Sequence, residues 1–453
     1  MTRTEAPVEL PVVLTVAGSD SGGGAGIQAD LKTIEAGGAF GTSAVTSVTA
    51  QNTRGVQGQH LLPIEEIAAQ IEAVREDFDV AAVKTGILAT SEVIDLVVAE
   101  AGDADDLVVD PVMVAASGDR LLEPEAESAY EALIAESALV TPNADEAEVL
   151  TGRPVETPAD AEAAGHDIVG MGADAALVKG GHVAGDEVVD TLVTDETVTT
   201  FRHERVETDA THGSGCTLSS AVATRLAHGD ELQDAVAAGV DLLARAVRYN
   251  LDVGEGSGAV HHAVEARNEA ARYDTSEAVE GVVAALTDRG VRPLVPAGGT
   301  TVAGATPYAE TPDEVAAVEG RIARVVDGVR ANRGVRFGAS TTVARTLIAA
   351  REHDPAVRFA ANVRLTDAVE AALDDLGGSV GDYDSAERPA TVPRDGTAAW
   401  GVGQAFETGA ESPIAVVDRG EMGVAGGVVL LARDPETLVG RATALLEAVE
   451  DGE

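Results

Sequence analysis

The sequence predicts an α/β protein of two domains, the first built on a mostly parallel sheet flanked by helices and the second a smaller α/β unit. Three observations carry this. The length of 453 residues exceeds one ordinary domain of about 100–200 residues. Short β-branched runs alternate with alanine-rich amphipathic stretches from Val12 to about Leu251, the pattern of βαβ units. A glycine-rich stretch, Gly254–Gly258, and a polar segment then interrupt the alternation before a second α/β pattern begins. The expected boundaries are a first domain over residues 1–265, a linker over 266–275 and a second domain over 276–450.

The elements follow in order. Val12–Ala17 is apolar but far too short to span a membrane, and no basic leader precedes it, so it reads as a buried first strand and not as a signal peptide or anchor. Leu107–Val109 and Ala175–Val178 read as further strands. Between them Ile64–Glu76, Ser91–Ala101 and Pro124–Glu136 read as helices, with Ser91 suited to an N-cap and Pro124 to a first helical position. Beyond the linker the helical pattern Ala278–Leu286 opens the second domain. In such folds ligands bind at the carboxyl ends of strands, so the chemistry belongs in the loops that follow them.

Composition narrows the function. Hydrophobic residues are 45% and charged residues 24% of the chain, as in a folded globular protein. Thirty-one basic against 77 acidic residues give a net charge of −46, which opposes binding to nucleic acid or an anionic membrane. Only three lysines occur, Lys32, Lys84 and Lys179. A carboxylate-rich, lysine-poor surface fits a salt-accumulating cytoplasm, where a Debye length of about 3 Å near 1 M salt screens the repulsion. A lysine retained in such a chain is expected to do what arginine does poorly, such as presenting a compact ammonium to phosphate. Cys216 is the single cysteine, so no intramolecular disulfide or cysteine metal cluster is possible, and a cytoplasmic location is expected.

Four segments carry chemistry. Thr211–Thr217 is a glycine-rich turn running into an apolar helix, which points backbone N–H groups and the positive helix end at an anion. Cys216 sits at that helix start, where a thiol pKa is expected to fall. Lys179, with Gly180 and Gly181, follows the buried run Ala175–Val178, where nucleotide phosphates approach. Asn143 and Glu146, after Thr141 and Pro142, suit either a helix cap or the water-rich shell of a Mg²⁺ ion. Ala17–Lys32 is glycine-dense but lacks the Gly-Lys-Ser/Thr spacing of a P-loop. The paired His261 and His262 read as structural rather than metal-binding.

Taken in order, Ala17–Thr33, Ala50–Thr53, Lys84–Leu88, Asp110–Met113, Thr141–Asn143, Lys179–His182 and His212–Cys216 resemble the hydroxymethylpyrimidine (phosphate) kinases of thiamine biosynthesis, over residues 11–262. The resemblance implies a ribokinase-like fold that phosphorylates 4-amino-5-hydroxymethyl-2-methylpyrimidine and then its monophosphate with MgATP, and it implies a homodimer. It implies that Gln51 reads the aminopyrimidine, whose edge suits an amide's paired donor and acceptor, with Asp30, Gly18 and the backbone at Val112 lining the same pocket. Lys179 and Thr141 would hold ATP, and Asn143, Glu146 and Asp110 would organise Mg²⁺. Gly213, Ser214, Gly215 and Cys216 would form the anion hole, with Cys216 either base or donor. A related kinase acting on pyridoxal-type alcohols is disfavoured by the Gln51 segment. Lys32 and Lys84 stay unassigned.

The second region, residues 276–450, resembles the ThiN domain in Gly304–Tyr308, Val315–Arg324, Arg336–Ser340, Val343–Arg345 and Asn362–Arg364. This implies a thiamine-phosphate synthase, with Arg321, Arg345 and Arg364 as candidate cations for a leaving diphosphate and thiazole phosphate or thiamine phosphate as ligand. Thr342 stands where the resemblance implies a histidine. Two readings stay open: a synthase, or a ligand-binding module that has lost catalysis.

Overall fold

The computed structural model describes residues 8–101, 106–113, 127–407, 412–421 and 424–451. Pro124 lies outside them. The chain divides into two compact units, Met1–Ala266 and Arg267–Glu453.

The first unit runs β1 (Val12–Ala17), α1 (Gly26–Ala36), β2 (Phe40–Val45), β3 (Ser47–Asn52), β4 (Gly55–Leu61), α2 (Ile64–Asp77), β5 (Val80–Thr85), α3 (Ser91–Ala101), β6 (Leu107–Val109), α4 (Glu127–Ala135), β7 (Leu139–Val140), α5 (Ala144–Thr151), α6 (Pro158–Gly170), β8 (Ala175–Val178), β9 (Glu187–Thr194), β10 (Val198–Glu204), α7 (Ser214–Ala227) and α8 (Leu232–Arg248). Eight strands form one sheet in the order β10-β9-β8-β7-β6-β5-β1-β2. The six from β8 to β2 are parallel, and β9 and β10 turn back antiparallel at one edge. β3 and β4 pair separately as a hairpin.

Strand residues alternate between two cores, as the two-residue repeat of a pleated strand requires. Leu14, Val16, Val83 and Val109 pack with Ile67, Ile71, Ile94, Leu133 and Ile168 on one face. Val13, Ala82 and Val108 pack with Ile34, Leu218, Val222 and Val236 on the other. Both faces are covered by helices, which is why these strands read as continuous apolar runs.

Local signals differ in detail from expectation. Ser91 begins α3, and the capping hydroxyl is that of Thr90, 3.4 Å from the Val93 N–H. The segment 266–275 is helical where a linker was expected: α9 (Val264–Ala270) and α10 (Arg272–Arg289) run through it, and Thr275 is buried. Its Arg267, Glu269 and Asp274 are exposed while Asn268 and Thr275 are buried, and the division between the two units falls at its start.

The second unit continues with β11 (Val302–Ala305), β12 (Val315–Val318), β13 (Ile322–Val325), β14 (Gly328–Ala331), β15 (Val335–Phe337), α11 (Thr342–His353), β16 (Phe359–Arg364), α12 (Asp367–Asp375), β17 (Val380–Tyr383), α13 (Thr397–Glu407), β18 (Ala415–Glu421), β19 (Val424–Ala432) and α14 (Pro435–Asp451). Its sheet, β15-β12-β11-β16-β19-β18-β17, is antiparallel except between β17 and β18. β13 and β14 form a separate hairpin. Along β16, Phe359, Ala361 and Val363 join a core with α10, α12 and α14, and Ala360 joins one with α11 and α13. No helix among the described residues is long and apolar enough to cross a membrane.

Candidate active site

The carboxyl ends of β6, β7 and β8 deliver Asp110, Thr141 and Lys179 side by side. Lys179 Nζ lies 3.0 Å from Asp110 Oδ1 and 3.9 Å from Glu146 Oε2, and Thr141 Oγ1 lies 3.4 Å from Asp110 Oδ1. Burial works against the Lys179 ammonium, but the charges of Asp110 and Glu146 outweigh it and raise its pKa. Glu146 is pushed up to about 7, by burial first and then by Asp110, with Lys179 opposing. Val112 is half-buried beside Asp110, and its N–H donates to the Asp110 carbonyl.

The turn before α7 meets this group. A side chain at Gly215 would place its Cβ 3.2 Å from Lys179 Nζ and 3.3 Å from Asp110 Oδ2. Gly213 has φ +82°, and a Cβ there would fall 1.8 Å from the Gly24 carbonyl oxygen, so only glycine fits this turn. No side chain caps α7, and its amino end lies beside the half-buried ammonium of Lys179. A cation, a helix amino end without a side-chain cap and flanking glycines lie together here, an arrangement chemically suited to an anion.

On the other side of the turn is a polar cluster that sequence reasoning missed. Asp20, buried, accepts the N–H groups of Gly22 (2.7 Å), Gly24 (3.0 Å) and Ala25 (2.8 Å), and the Nε2 of His212 lies 3.0 Å from its Oδ2. Burial disfavours the Asp20 carboxylate, but His212, Ala25 and Gly22 overcome this and hold its pKa below the usual value. The Gln51 amide, on β3, lies 3.2 Å from the same His212 nitrogen. Gly18 lies against the Ser47 hydroxyl and carries the carbonyl that accepts the Ile27 N–H at the start of α1. The signal for Asp20 and His212 was present in the sequence as polar residues inside two glycine turns.

Two expectations need correction, and of the two readings of Asn143 the cap is the one formed. Asp30 does not line a pocket: it has no exposure, and its carboxylate is taken up by Thr15 Oγ1 (2.6 Å), Lys84 Nζ (2.9 Å) and Ser220 Oγ (2.9 Å). It is an interior ion pair joining α1, β1, β5 and α7. The Cys216 thiol is not acidified; burial, with Asp30 and Asp110 adding to it, pushes the thiol up to about 11 despite Lys84 and the Gly26 N–H. Asn143 spends its side-chain oxygen capping α5, accepting the Glu146 N–H at 2.8 Å while Glu146 accepts the Asn143 N–H at 2.8 Å. His261 and His262 are buried, with His262 Nε2 against the Gly24 carbonyl, and no cluster of three metal-ligating side chains occurs among the described residues.

In the second unit, strand register places Arg364 in one row with Gly427, Asp418 and Tyr383 at the end of the sheet where β16 finishes. Arg321, with φ +65°, donates to the Gly298 carbonyl at 2.8 Å; β11 begins four residues after Gly298, where Val302 pairs with Ala361 in the middle of β16 and the Thr301 carbonyl accepts the Asn362 N–H. α11 and α13 lie side by side, linked by Arg345 to the Asp395 carbonyl at their starts and by His353 stacking on Phe406 at their ends. Because α13 follows β17, the start of α11, with Thr342 and Arg345, belongs to the same sheet end. The buried Nε of Arg364 has no hydrogen-bond partner.

Comparison with known proteins fits this division. The family described as phosphomethylpyrimidine kinase matches residues 20–261, and that described as thiamine-phosphate synthase ThiN matches residues 278–444. The hydroxymethylpyrimidine/phosphomethylpyrimidine kinase of Streptomyces coelicolor is 47% identical over 265 residues, 58% of this chain and 98% of that one. The thiamine biosynthesis bifunctional protein ThiED of Geobacter sulfurreducens is 43% identical, over 58% of this chain and 54% of its own. Among solved structures, the ADP complex of Bacillus subtilis pyridoxal kinase superposes with a TM-score of 0.53 at 32% identity, over 56% of this chain and 98% of that chain. The chain thus belongs to the phosphomethylpyrimidine kinase family, which phosphorylates hydroxymethylpyrimidine and its monophosphate with ATP in thiamine biosynthesis, and its residues 278–444 match the ThiN family.

Proposed function

We propose that the two clusters flanking Gly213–Cys216 are the two halves of one phosphoryl-transfer site. Lys179, 3.0 Å from Asp110, lies so near the α7 turn that a Cβ added at Gly215 would fall 3.2 Å from its Nζ, and this convergence carries the reading. Lys179 holds the ATP phosphates, with Thr141 orienting Asp110 beside it, and the amino end of α7 receives the transferring phosphoryl group. Catalysis of this kind is mostly positioning and charge stabilisation. Gln51 reads the aminopyrimidine edge, with the backbone at Gly18 and Val112 closing the pocket. Cys216, its thiol protonated near neutrality, serves as a neutral donor of the anion hole and not as a base.

Asp110 and Glu146 suit Mg²⁺: both are buried hard-oxygen donors, and both lie beside the Lys179 ammonium where the ATP phosphates would come. Asn143 fits less well because its oxygen is spent on the cap. When bound, the ion would screen the phosphate charge, and Asp110 and Glu146 would hold it largely through water.

The second unit binds thiazole phosphate or thiamine phosphate at the sheet end bearing Arg321, Arg345 and Arg364, and Thr342 offers no group able to move a proton near neutrality. We also place the protein in a salt-rich cytoplasm, as a homodimer; the exposed Val48 and Leu61 of the β3–β4 hairpin favour pairing.

The test is an assay in molar KCl with hydroxymethylpyrimidine, MgATP and thiazole phosphate. Lys179→Met should lower kcat at least about 100-fold, and Gln51→Ala should act through KM for the pyrimidine. Pyrimidine diphosphate should form without thiamine phosphate. Unchanged kcat in Lys179→Met would overturn the kinase-site reading, and thiamine phosphate formation would overturn the binding-only reading of the second unit.

A further inference from the structure

The amide of Gln51 has two protein neighbours, and each dictates which atom it must meet. On one side is His212 Nε2, 3.2 Å from the amide and 3.0 Å from Asp20 Oδ2. Asp20 already accepts three backbone N–H groups, so it acts as an ionised acceptor, and the His212 nitrogen facing it must carry hydrogen. That nitrogen then has no lone pair for Gln51. An amide with its NH₂ toward His212 sets two donors against each other; turned by 180°, its oxygen accepts there.

The other neighbour demands the same orientation. Thr49 Oγ1 lies 3.4 Å from the far atom of the Gln51 amide and 2.8 Å from the Ser19 carbonyl oxygen. A carbonyl only accepts, so the Thr49 hydrogen goes to Ser19, and the hydroxyl oxygen is left to accept from Gln51. The atom beside Thr49 must therefore be the NH₂ group. A relay results: the single Nε2–H of His212 is shared between the Asp20 carboxylate at 3.0 Å and the Gln51 oxygen at 3.2 Å; the Gln51 NH₂ donates to Thr49, and Thr49 donates to Ser19.

We propose that Asp20, His212 and Thr49 are positioning residues that fix the polarity of the Gln51 amide and thereby make the kinase selective for a 4-aminopyrimidine over the 4-oxo compound. This rests on Gln51 being the residue that reads the pyrimidine. With its oxygen pinned toward His212 and its NH₂ toward Thr49, Gln51 keeps one lone pair and one N–H, side by side in a fixed order. A 4-aminopyrimidine offers the complementary pair, an amino N–H next to the lone pair of ring N3. The 4-oxo lactam offers the reverse, an oxygen next to an N3–H, and meets both Gln51 atoms with like against like. A freely turning glutamine would accept either edge. Sites whose buried polar groups are left unpaired by the wrong ligand discriminate strongly, and here discrimination requires that the amide not turn.

The experiment compares kcat/KM of the full chain, with MgATP in molar KCl, for 4-amino-5-hydroxymethyl-2-methylpyrimidine and its 4-oxo analogue. His212→Phe and Thr49→Val each release one end of the amide. Each should lower the amino-to-oxo ratio at least tenfold, mainly through KM, because the oxo compound gains as the amino compound loses. A change in the anion-hole turn or in folded fraction scales both substrates alike and leaves the ratio still. Gln51→Ala separates the two layers of the argument. If it collapses selectivity while both other variants stay within threefold of the unaltered ratio, Gln51 reads the substrate but the relay does not set its polarity, and the inference is overturned. If Gln51→Ala leaves both KM and the ratio unchanged, the reading beneath it falls as well. Thr49 lies on the hairpin, away from the α7 turn, so its variant keeps the test open should His212→Phe not fold.

Discussion

Acidifying the solution from pH 7 to 5 should destabilise the kinase unit through one histidine. His262 is 3% exposed, its Nε2 is 3.0 Å from the Gly24 carbonyl oxygen, and burial pushes its pKa down to about 4 although that carbonyl favours the proton; Lys32, His261 and His212 push the same way. In the unfolded chain an ordinary histidine has a pKa near 6.5. The folded value is the lower one, so as pH falls the unfolded state takes the proton first and stability is lost between about 6.5 and 4. The full difference of about 2.5 units is worth about 3 kcal/mol, of which about 2 kcal/mol is lost by pH 5. The perturbation is His262→Gln, which cannot titrate here but retains an N–H for Gly24. Urea midpoints and slopes for the kinase-unit transition of the full chain, in molar KCl, give the free energy at both pH values. His203, whose pKa is raised by its bond to Asp190, and the other titrating groups contribute equally to both proteins and cancel. The variant should lose about 2 kcal/mol less than the unaltered protein. Equal losses, within about 0.5 kcal/mol, would refute the reasoning.

Two other perturbations probe the interior beneath the α7 turn. Lys84→Met leaves the Asp30 carboxylate with only the Thr15 and Ser220 hydroxyls, and breaking a buried pair from one side costs about 3–5 kcal/mol; the Lys84→Met, Asp30→Asn double variant should regain part of this, and a single-variant loss below about 1 kcal/mol would count against a formed pair. Cys216, with its thiol pushed up to about 11, should react with iodoacetamide at a rate that still climbs about tenfold per pH unit from 8 to 10. A plateau below pH 8 would mean that the helix start has acidified it after all.

What the sequence disclosed and what it concealed follow physical lines. The first sheet was legible because strands buried on both faces read as unbroken apolar runs between amphipathic helices. The second unit has runs of the same kind, such as Val302–Ala305 and Val315–Val318, each buried along its length. Burial pattern alone does not distinguish parallel from antiparallel pairing there, and the mostly antiparallel register emerged only in the structure. Asn143 and Glu146 could cap or coordinate; a capping box formed, and the Glu146 Oε2 that closes it also lies 3.9 Å from Lys179. Asp30 was misplaced because its partners lie 15, 54 and 190 residues away, beyond any local pattern. For Cys216 the helix-start rule was outweighed by burial and by two nearby carboxylates.

The lysines show how a depleted residue type points to a site. In a chain with three lysines and a net charge of −46, all three serve the kinase unit's glycine turns and strand ends. Lys32 donates to the Gly23 carbonyl at 2.6 Å, Lys84 to Asp30 and Lys179 to Asp110. Arginine would not substitute at Lys84, whose enclosed ammonium faces a single carboxylate oxygen at 2.9 Å; a guanidinium spreads five N–H donors across a plane and would leave several without acceptors. Where acceptors are plentiful, arginine is what this chain uses. In the second unit Arg351 is 4% exposed and is surrounded by the carbonyls of Pro307, Ala309, Pro355 and Val357. Between Lys84 and Arg351 the choice of cation therefore follows the number and geometry of the acceptors: a compact ammonium where one carboxylate oxygen is to be met, a planar fork where four carbonyls surround it.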